Sequence, residues 1–260
     1  GNQDACIFQF NADLTNLVYS TYFGGSSDES GLSLKRNSSG GIYVTGGTNS
    51  NNLPITQGWK TTYQGGIDGY VIQLTDSAQT LLNGTYLGTS GYEQSYFIDT
   101  DTSGNVFVYG QSNGGYPVVN AGYSNPNSGQ FIQKLPPDLS NSLMSTVFGT
   151  GSGDIDISPS AFMVSTCNNI FLSGWGGNLN NSYGTPNNST TNGLPTTSGA
   201  FQTSTDGNDF YLMVLGENAT SLKYGSFFGG GQSWEHVDGG TSRFDEDGIV
   251  YQAVCAGCGG

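Results

Sequence analysis

The chain is poor in basic residues. Six Lys plus Arg stand against 20 Asp plus Glu, a formal net charge of −14. Phosphate backbones are bound by displacing their counterions with Lys and Arg, so nucleic acid is excluded as a partner. Anionic membrane surfaces are disfavoured for the same reason. No run of about 20 apolar residues occurs, so no helix inserts directly into a membrane. The strong helix formers Ala, Leu, Glu, Lys and Arg are scarce. Only one histidine, His236, is present, so a Ser-His-Asp triad or a His-based zinc site would rest on that single residue. Four cysteines in 260 residues are too few for a disulfide scaffold. The chain opens on Gly1 with no signal peptide in view. It reads as processed, or as a piece of a longer protein.

What is present points the other way. There are 42 glycines, 15 Tyr and 14 Phe. Abundant Gly, Asn, Ser and Thr suit many tight turns, and the aromatics suit short packed strands. Disorder would show few aromatics.

The organising feature is an internal repeat. One motif occurs as Tyr19-Ser-Thr-Tyr-Phe-Gly-Gly25, Asn83-Gly-Thr-Tyr-Leu-Gly-Thr89, Met144-Ser-Thr-Val-Phe-Gly-Thr150 and Tyr224-Gly-Ser-Phe-Phe-Gly-Gly230; its starts lie 64, 61 and 80 residues apart. Two others keep nearly the same phase. The first comprises Gly41–Gly46, Asn105–Gly110, Asn169–Gly174 and Gly248–Ala253. The second comprises Asp4–Phe10, Asp68–Leu74, Gly129–Leu135 and Asp209–Leu215. A strand-like segment and a turn rich in Asn, Asp and Gly precede each copy of the former: Asn37–Gly40, Asp101–Gly104, Thr166–Asn169 and Asp245–Gly248. A Pro-containing loop, with Leu53-Pro54, Tyr116-Pro117 and Leu194-Pro195, joins the second and third strands and closes each unit. Residues 178–191 form an Asn/Ser/Thr-rich insertion in the third loop, expected to be exposed and mobile.

Four short antiparallel strands per unit of about 60 residues is the arithmetic of a β-propeller blade, and such units become stable by stacking. The predicted fold is all-β, a single propeller region over 1–260. Residues 1–29 supply the last two strands of a blade, 30–90 and 91–152 are blades, 153–231 is a blade with the insertion, and 232–260 supply the first two strands of another. Paired ends would close a four-bladed ring; otherwise the chain is a sector of a larger one, the favoured reading.

These motifs resemble the bacterial SBBP repeats, named for seven-bladed β-propellers, whose members read roughly DAFV-x-KL, YSTYLGG, GNVYVTG and FPTT-x-GAFQT. The matching stretches are Asp68–Leu74, Tyr19–Gly25, Gly41–Gly47, Leu194–Thr197 and Gly199–Thr203. Segments Cys167–Gly177 and Tyr251–Gly260 look like a narrower group of very large surface proteins of gliding bacteria, exported by the type-nine secretion route. The resemblance implies a cell-surface or secreted location. It implies a non-enzymatic role in adhesion, gliding motility or surface structure, with partners among outer-membrane secretion and motility proteins. It carries no catalytic residues over.

Site candidates are few. Cys255-x-x-Cys258 has redox or metal spacing, but with no second Cys pair it is read as structural, a local disulfide or pairing with cysteines beyond the end. Acidic pairs at Asp28-Glu29, Asp99/Asp101, Asp154/Asp156 and Asp245/Asp247 raise calcium, but they are read as hairpin-turn residues lacking the remaining ligands. No cofactor is expected. Trp59, Trp175 and Trp234 are read mainly as packing between blades; Trp175, before the insertion, is the best exposed candidate for ligand contact. A carbohydrate-binding or lyase-type propeller is the alternative function, and a cargo domain recognised by the export machinery a third.

Overall fold

The computed structural model describes residues 1–113, 115–178, 189–237 and 242–256. The fold is all-β, built of antiparallel sheets. β1 (Ala5–Phe10) pairs with β2 (Leu17–Phe23). A four-stranded sheet follows in simple order from β3 (Glu29–Arg36), β4 (Ile42–Thr48), β5 (Asp68–Leu74) and β6 (Leu81–Leu87). A second holds β7 (Glu93–Thr100), β8 (Val106–Ser112), β9 (Gln130–Leu135) and β10 (Met144–Phe148). A third holds β11 (Ser158–Val164), β12 (Ile170–Trp175), β13 (Phe210–Leu215) and β14 (Leu222–Phe228). Short ladders complete the chain: β15 (Glu235–His236) with β18 (Cys255–Ala256), and β16 (Arg243–Phe244) with β17 (Val250–Tyr251). Among the described residues no helix is long and apolar enough to cross a membrane.

The repeat is visible in the turns. The hairpins between first and second strands close through Gly40, Gly104, Asn168 and Gly248, at φ +94, +81, +60 and +82. Each has the same bond back to the turn's first residue: Gly40 to Asn37, Gly104 to Asp101, Asn168 to Ser165 and Gly248 to Asp245. The third turn therefore begins at Ser165, one residue before the expected Thr166, and Asn occupies the left-handed position that Gly fills elsewhere. The turns between third and fourth strands also share a geometry, at Leu14, Ala78, Leu139 and Ala219, with φ from 52 to 60. Nothing in the residue types announces these left-handed apolar residues. Ala78, Leu139 and Ala219 are buried there, so packing offsets a backbone cost of roughly 1–2 kcal/mol.

The chain divides into two compact units, 1–110 with 134–143, and 111–133 with 144–260. In the first, sheets stack face to face. Ile7 and Phe23 from β1 and β2 join Val44, Tyr70, Ile72 and Tyr86 in one buried cluster. The Phe23 and Tyr70 rings lie 5.4 Å apart. The opposite face of β3 and β4 meets β7, where Lys35 pairs with Asp99 at 2.6 Å. With both faces covered, β4 and β5 bury nearly every residue, and each fully buried large side chain contributes roughly 1.5–3 kcal/mol. The outer face of β1 and β2 instead exposes Phe8, Phe10, Val18 and Tyr22. In the second unit, β11 lies against β16, Phe171 packs on Phe244 at 5.7 Å, and Trp175 on His236 at 5.7 Å.

The Pro loops close the sheets, as expected, by bonding along the outer edge of the fourth strand. Gly84 N–H donates to Gln57 O (2.8 Å), Val119 and Ser145 exchange both backbone bonds, and Thr197 N–H donates to Gly225 O (3.1 Å). This covers an edge that would otherwise template aggregation.

Candidate functional site

The chemistry-bearing side chains that recur in every repeat gather at one place, where the fourth strand of a unit turns into the next. Each fourth strand is followed at once by a glycine: Gly24, Gly88, Gly149 or Gly229. The acid that follows, Glu29, Glu93, Asp156 or Glu235, is buried. Its carboxylate accepts the N–H of the residue that follows the glycine: Gly25 at 2.8 Å, Thr89 at 2.6 Å, Thr150 at 2.8 Å and Gly230 at 3.0 Å. The Thr hydroxyls add a second bond, from Thr89 to Glu93 (2.8 Å) and Thr150 to Asp156 (2.7 Å). Charge-assisted bonds of this kind contribute more than neutral ones.

A second polar group reaches the same glycine from the start of the preceding third strand: Asp4, Asp68, Gln130 or Asp209. A Cβ on Gly24, Gly88 or Gly229 would lie 2.3, 2.0 or 2.1 Å from the aspartate Oδ1. A side chain at that glycine would have to displace the carboxylate. Three repeats therefore hold two carboxylates around one glycine.

How each pair is balanced differs. The Asp4 carboxylate is exposed to water. Beside Asp68 and Glu93 lies Lys60, whose Nζ donates to Gly88 O at 2.9 Å; burial pulls the Lys60 ammonium down while Asp68 and Glu93 act to raise it. Even so, burial first, with Glu93 adding repulsion, pushes the Asp68 carboxyl up to about 6. In the third repeat the amide of Gln130 replaces the aspartate. In the fourth, Asp209 is fully buried and accepts Gln202 Nε2 on Oδ2 at 2.9 Å. Burial, then Asp206 and Glu235, push its carboxyl up to about 6, opposed by a bond from Thr205.

Two cavities adjoin these positions. One of ≈ 270 Å³ is lined by Asp28, Glu29, Thr48 and Gln94. One of ≈ 290 Å³ is lined by Gln202, Thr205, Asp206, Gly229 and Gly230.

Several expectations change. Trp175 is not an exposed platform: it is 9% exposed, because the last residue of β12 turns inward onto His236, itself buried. The acidic groups do not all sit in hairpin turns. Asp101 and Asp245 do, but Glu29 and Asp156 are the buried clamps, and Asp99 lies within β7. Cys255 is disulfide-bonded, whereas Cys6 and Cys167 are free and exposed; Cys258 lies outside the described residues. So does most of the 178–191 insertion, but its end is not exposed: Ser189 and Thr191 are buried, Ser189 donating to Asp156 O at 2.8 Å.

Sequence reasoning missed Asp68, Glu93, Asp209 and Glu235 as a set. The available signal was an acid five to seven residues beyond each motif glycine, at 29, 93, 156 and 235, in phase with Asp4, Asp68 and Asp209. Among the described residues no group of three or more His, Cys, Asp and Glu side chains is placed to hold a metal ion. Compared with known proteins, the sequence matches no family model and no curated protein.

Proposed function

We propose that this chain is a non-catalytic structural or adhesive module, a run of β-propeller blades of the SBBP type in a large secreted or cell-surface protein. The observation that carries this reading is where the repeated residues are used. Aromatics fill the space between stacked sheets, glycines and Asx residues close turns, and acids clamp the passage from one unit to the next. The exposed apolar face of β1 and β2 is of the kind a neighbouring blade covers. Such an array is a stiff, charged spacer whose loops meet partners such as surface glycans or outer-membrane motility proteins. The carbohydrate-binding alternative loses its exposed indole, since Trp175 is buried.

The test pairs function with shape. The purified chain is assayed for binding to glycan arrays and to outer-membrane fractions of a gliding bacterium, and for turnover of a polysaccharide panel. Electron microscopy of the longest natural form follows the sheets. Binding without turnover, on radially stacked blades, is the expected outcome. Polysaccharide cleavage, or sheets that do not stack about an axis, would refute the reading.

A further inference from the structure

The four repeats act as internal controls for one another. Wherever an acid faces the clamp carboxylate, charge has to be balanced, because two buried carboxylates repel. In the first pair Asp4 is exposed to water, and the second has Lys60. The third avoids the problem with Gln130. The fourth has none of these: the charged groups acting on Asp209 are Asp206 and Glu235, both acidic.

The geometry of the fourth pair is that of an open chelate. Asp209 and Glu235 are 0% and 5% exposed. Their other oxygens are occupied: Asp209 Oδ2 by Gln202, and Glu235 Oε1 by Gly230 N–H and the Ser233 hydroxyl. Asp209 Oδ1 and Glu235 Oε2 are buried with no donor to satisfy them, and the two carboxyls approach within hydrogen-bonding reach of each other. A Cβ on Gly229 would lie 2.1 Å from the first and 2.9 Å from the second, so the two oxygens are within 5.0 Å of each other. Oxygens that share one calcium ion at 2.3–2.6 Å are no more than about 5 Å apart. A ≈ 290 Å³ cavity lined by Gln202, Thr205, Asp206, Gly229 and Gly230 places further oxygen-bearing side chains next to the Gly229 turn.

We propose that Asp209 and Glu235 form a divalent-cation site of the calcium class, in which the ion does for the fourth repeat what Lys60 does for the second. An all-oxygen set favours a hard cation over zinc or copper. Its irregularity favours calcium over magnesium, which demands a near-ideal octahedron. With two carboxylates and the rest carbonyl or water, affinity falls in the range of about 10⁻⁴–10⁻³ M typical of extracellular modules.

The test uses the whole chain, freed of metal with a chelator, at pH 7.5. Calcium chloride is added to 10 mM, with magnesium chloride in parallel, and binding is followed by calorimetry and thermal unfolding. Calcium should raise Tm by roughly 3–6 °C, and magnesium by less. Asp209→Asn and Glu235→Gln should each abolish that response, while Asp68→Asn keeps it. In chelator, Asp209→Asn should melt at or above the wild type, since it reproduces the amide–acid pairing of Gln130 with Asp156; this keeps the test decisive if Glu235→Gln does not fold. No calcium-linked heat or Tm shift in the wild type would overturn the proposal, as would a response surviving in Asp209→Asn. So would a chelated Tm that climbs as pH falls through about 6 while calcium at pH 7.5 adds nothing, which would give the position to a proton.

Discussion

The most searching perturbation of the carboxylate pairs is Asp68→Asn. Asp68 is fully buried, one oxygen accepts Gln64 N–H at 2.8 Å, and the other has no partner. Burial lifts its carboxyl from 3.8 to about 6. The folded state therefore holds this proton more tightly than the unfolded chain does. The side chain's contribution to stability is fully present below about pH 4 and is lost as pH rises through about 6. At 1.36 kcal/mol per pH unit the loss is capped at about 3 kcal/mol. Screening brings it to about 1–2 kcal/mol. Asparagine has the same shape, keeps an acceptor for Gln64 and carries no charge at any pH. The variant should be more stable than wild type at pH 7.5 by about 1–2 kcal/mol, a Tm gain of roughly 3–6 °C. At pH 4.5 the two should agree within about 0.5 kcal/mol. Scanning calorimetry from pH 4.5 to 8 in chelated buffer measures both. Parallel profiles, or a variant less stable at pH 7.5, would show that Lys60 balances the charge in full rather than in part and that the reasoning is wrong.

Lys134 is buried between Asp101 at 3.2 Å and the Phe107 ring at 4.9 Å. Burial works against the Asp101 charge, yet bonds from Asn105 and Lys134 hold its carboxyl below the ordinary value. Lys134→Met should cost about 2–4 kcal/mol near neutrality in urea unfolding, and the deficit should shrink as pH falls below about 4 and Asp101 protonates in both proteins. Tyr70→Phe removes the hydroxyl that donates to Ser30 O at 2.9 Å in the core, and the urea midpoint should report a loss of about 1–2 kcal/mol. A Cβ on Gly225 would lie 2.5 Å from the backbone oxygen of Pro195. Gly225→Ala should therefore lift the Pro loop off β14 and cost more than about 2 kcal/mol, seen as a lower Tm and faster proteolysis between 194 and 202. Gly231→Ala, with nothing within 4 Å, should change stability by less than about 0.5 kcal/mol.

How much of this was legible follows from what kind of signal each feature leaves. The antiparallel strands and the hairpins at Gly40, Gly104 and Gly248 were readable because alternation, Gly and Asx chemistry act over a few residues. The Pro-loop closure was readable because Leu53-Pro54 and Leu194-Pro195 fall at one phase of the repeat. Trp175 was misjudged because its position before a polar insertion suggests exposure, whereas its burial depends on where His236 arrives from 61 residues away. The left-handed Ala78, Leu139 and Ala219 left no trace, because Ala and Leu are not turn residues on their own; only the burial around them makes that backbone tolerable.

The carboxylate pairs mark the boundary most clearly. Sequence alone determined that acids recur at 29, 93, 156 and 235 and that each follows a motif glycine, since periodicity is a property of the string. Only the tertiary structure decided that Asp68 and Glu93, or Asp209 and Glu235, converge on one glycine, and that one pair has a lysine where the other has none. The reason is physical: a charge recurring in sequence becomes costly or useful only once burial removes water from it and strand pairing sets what lies opposite.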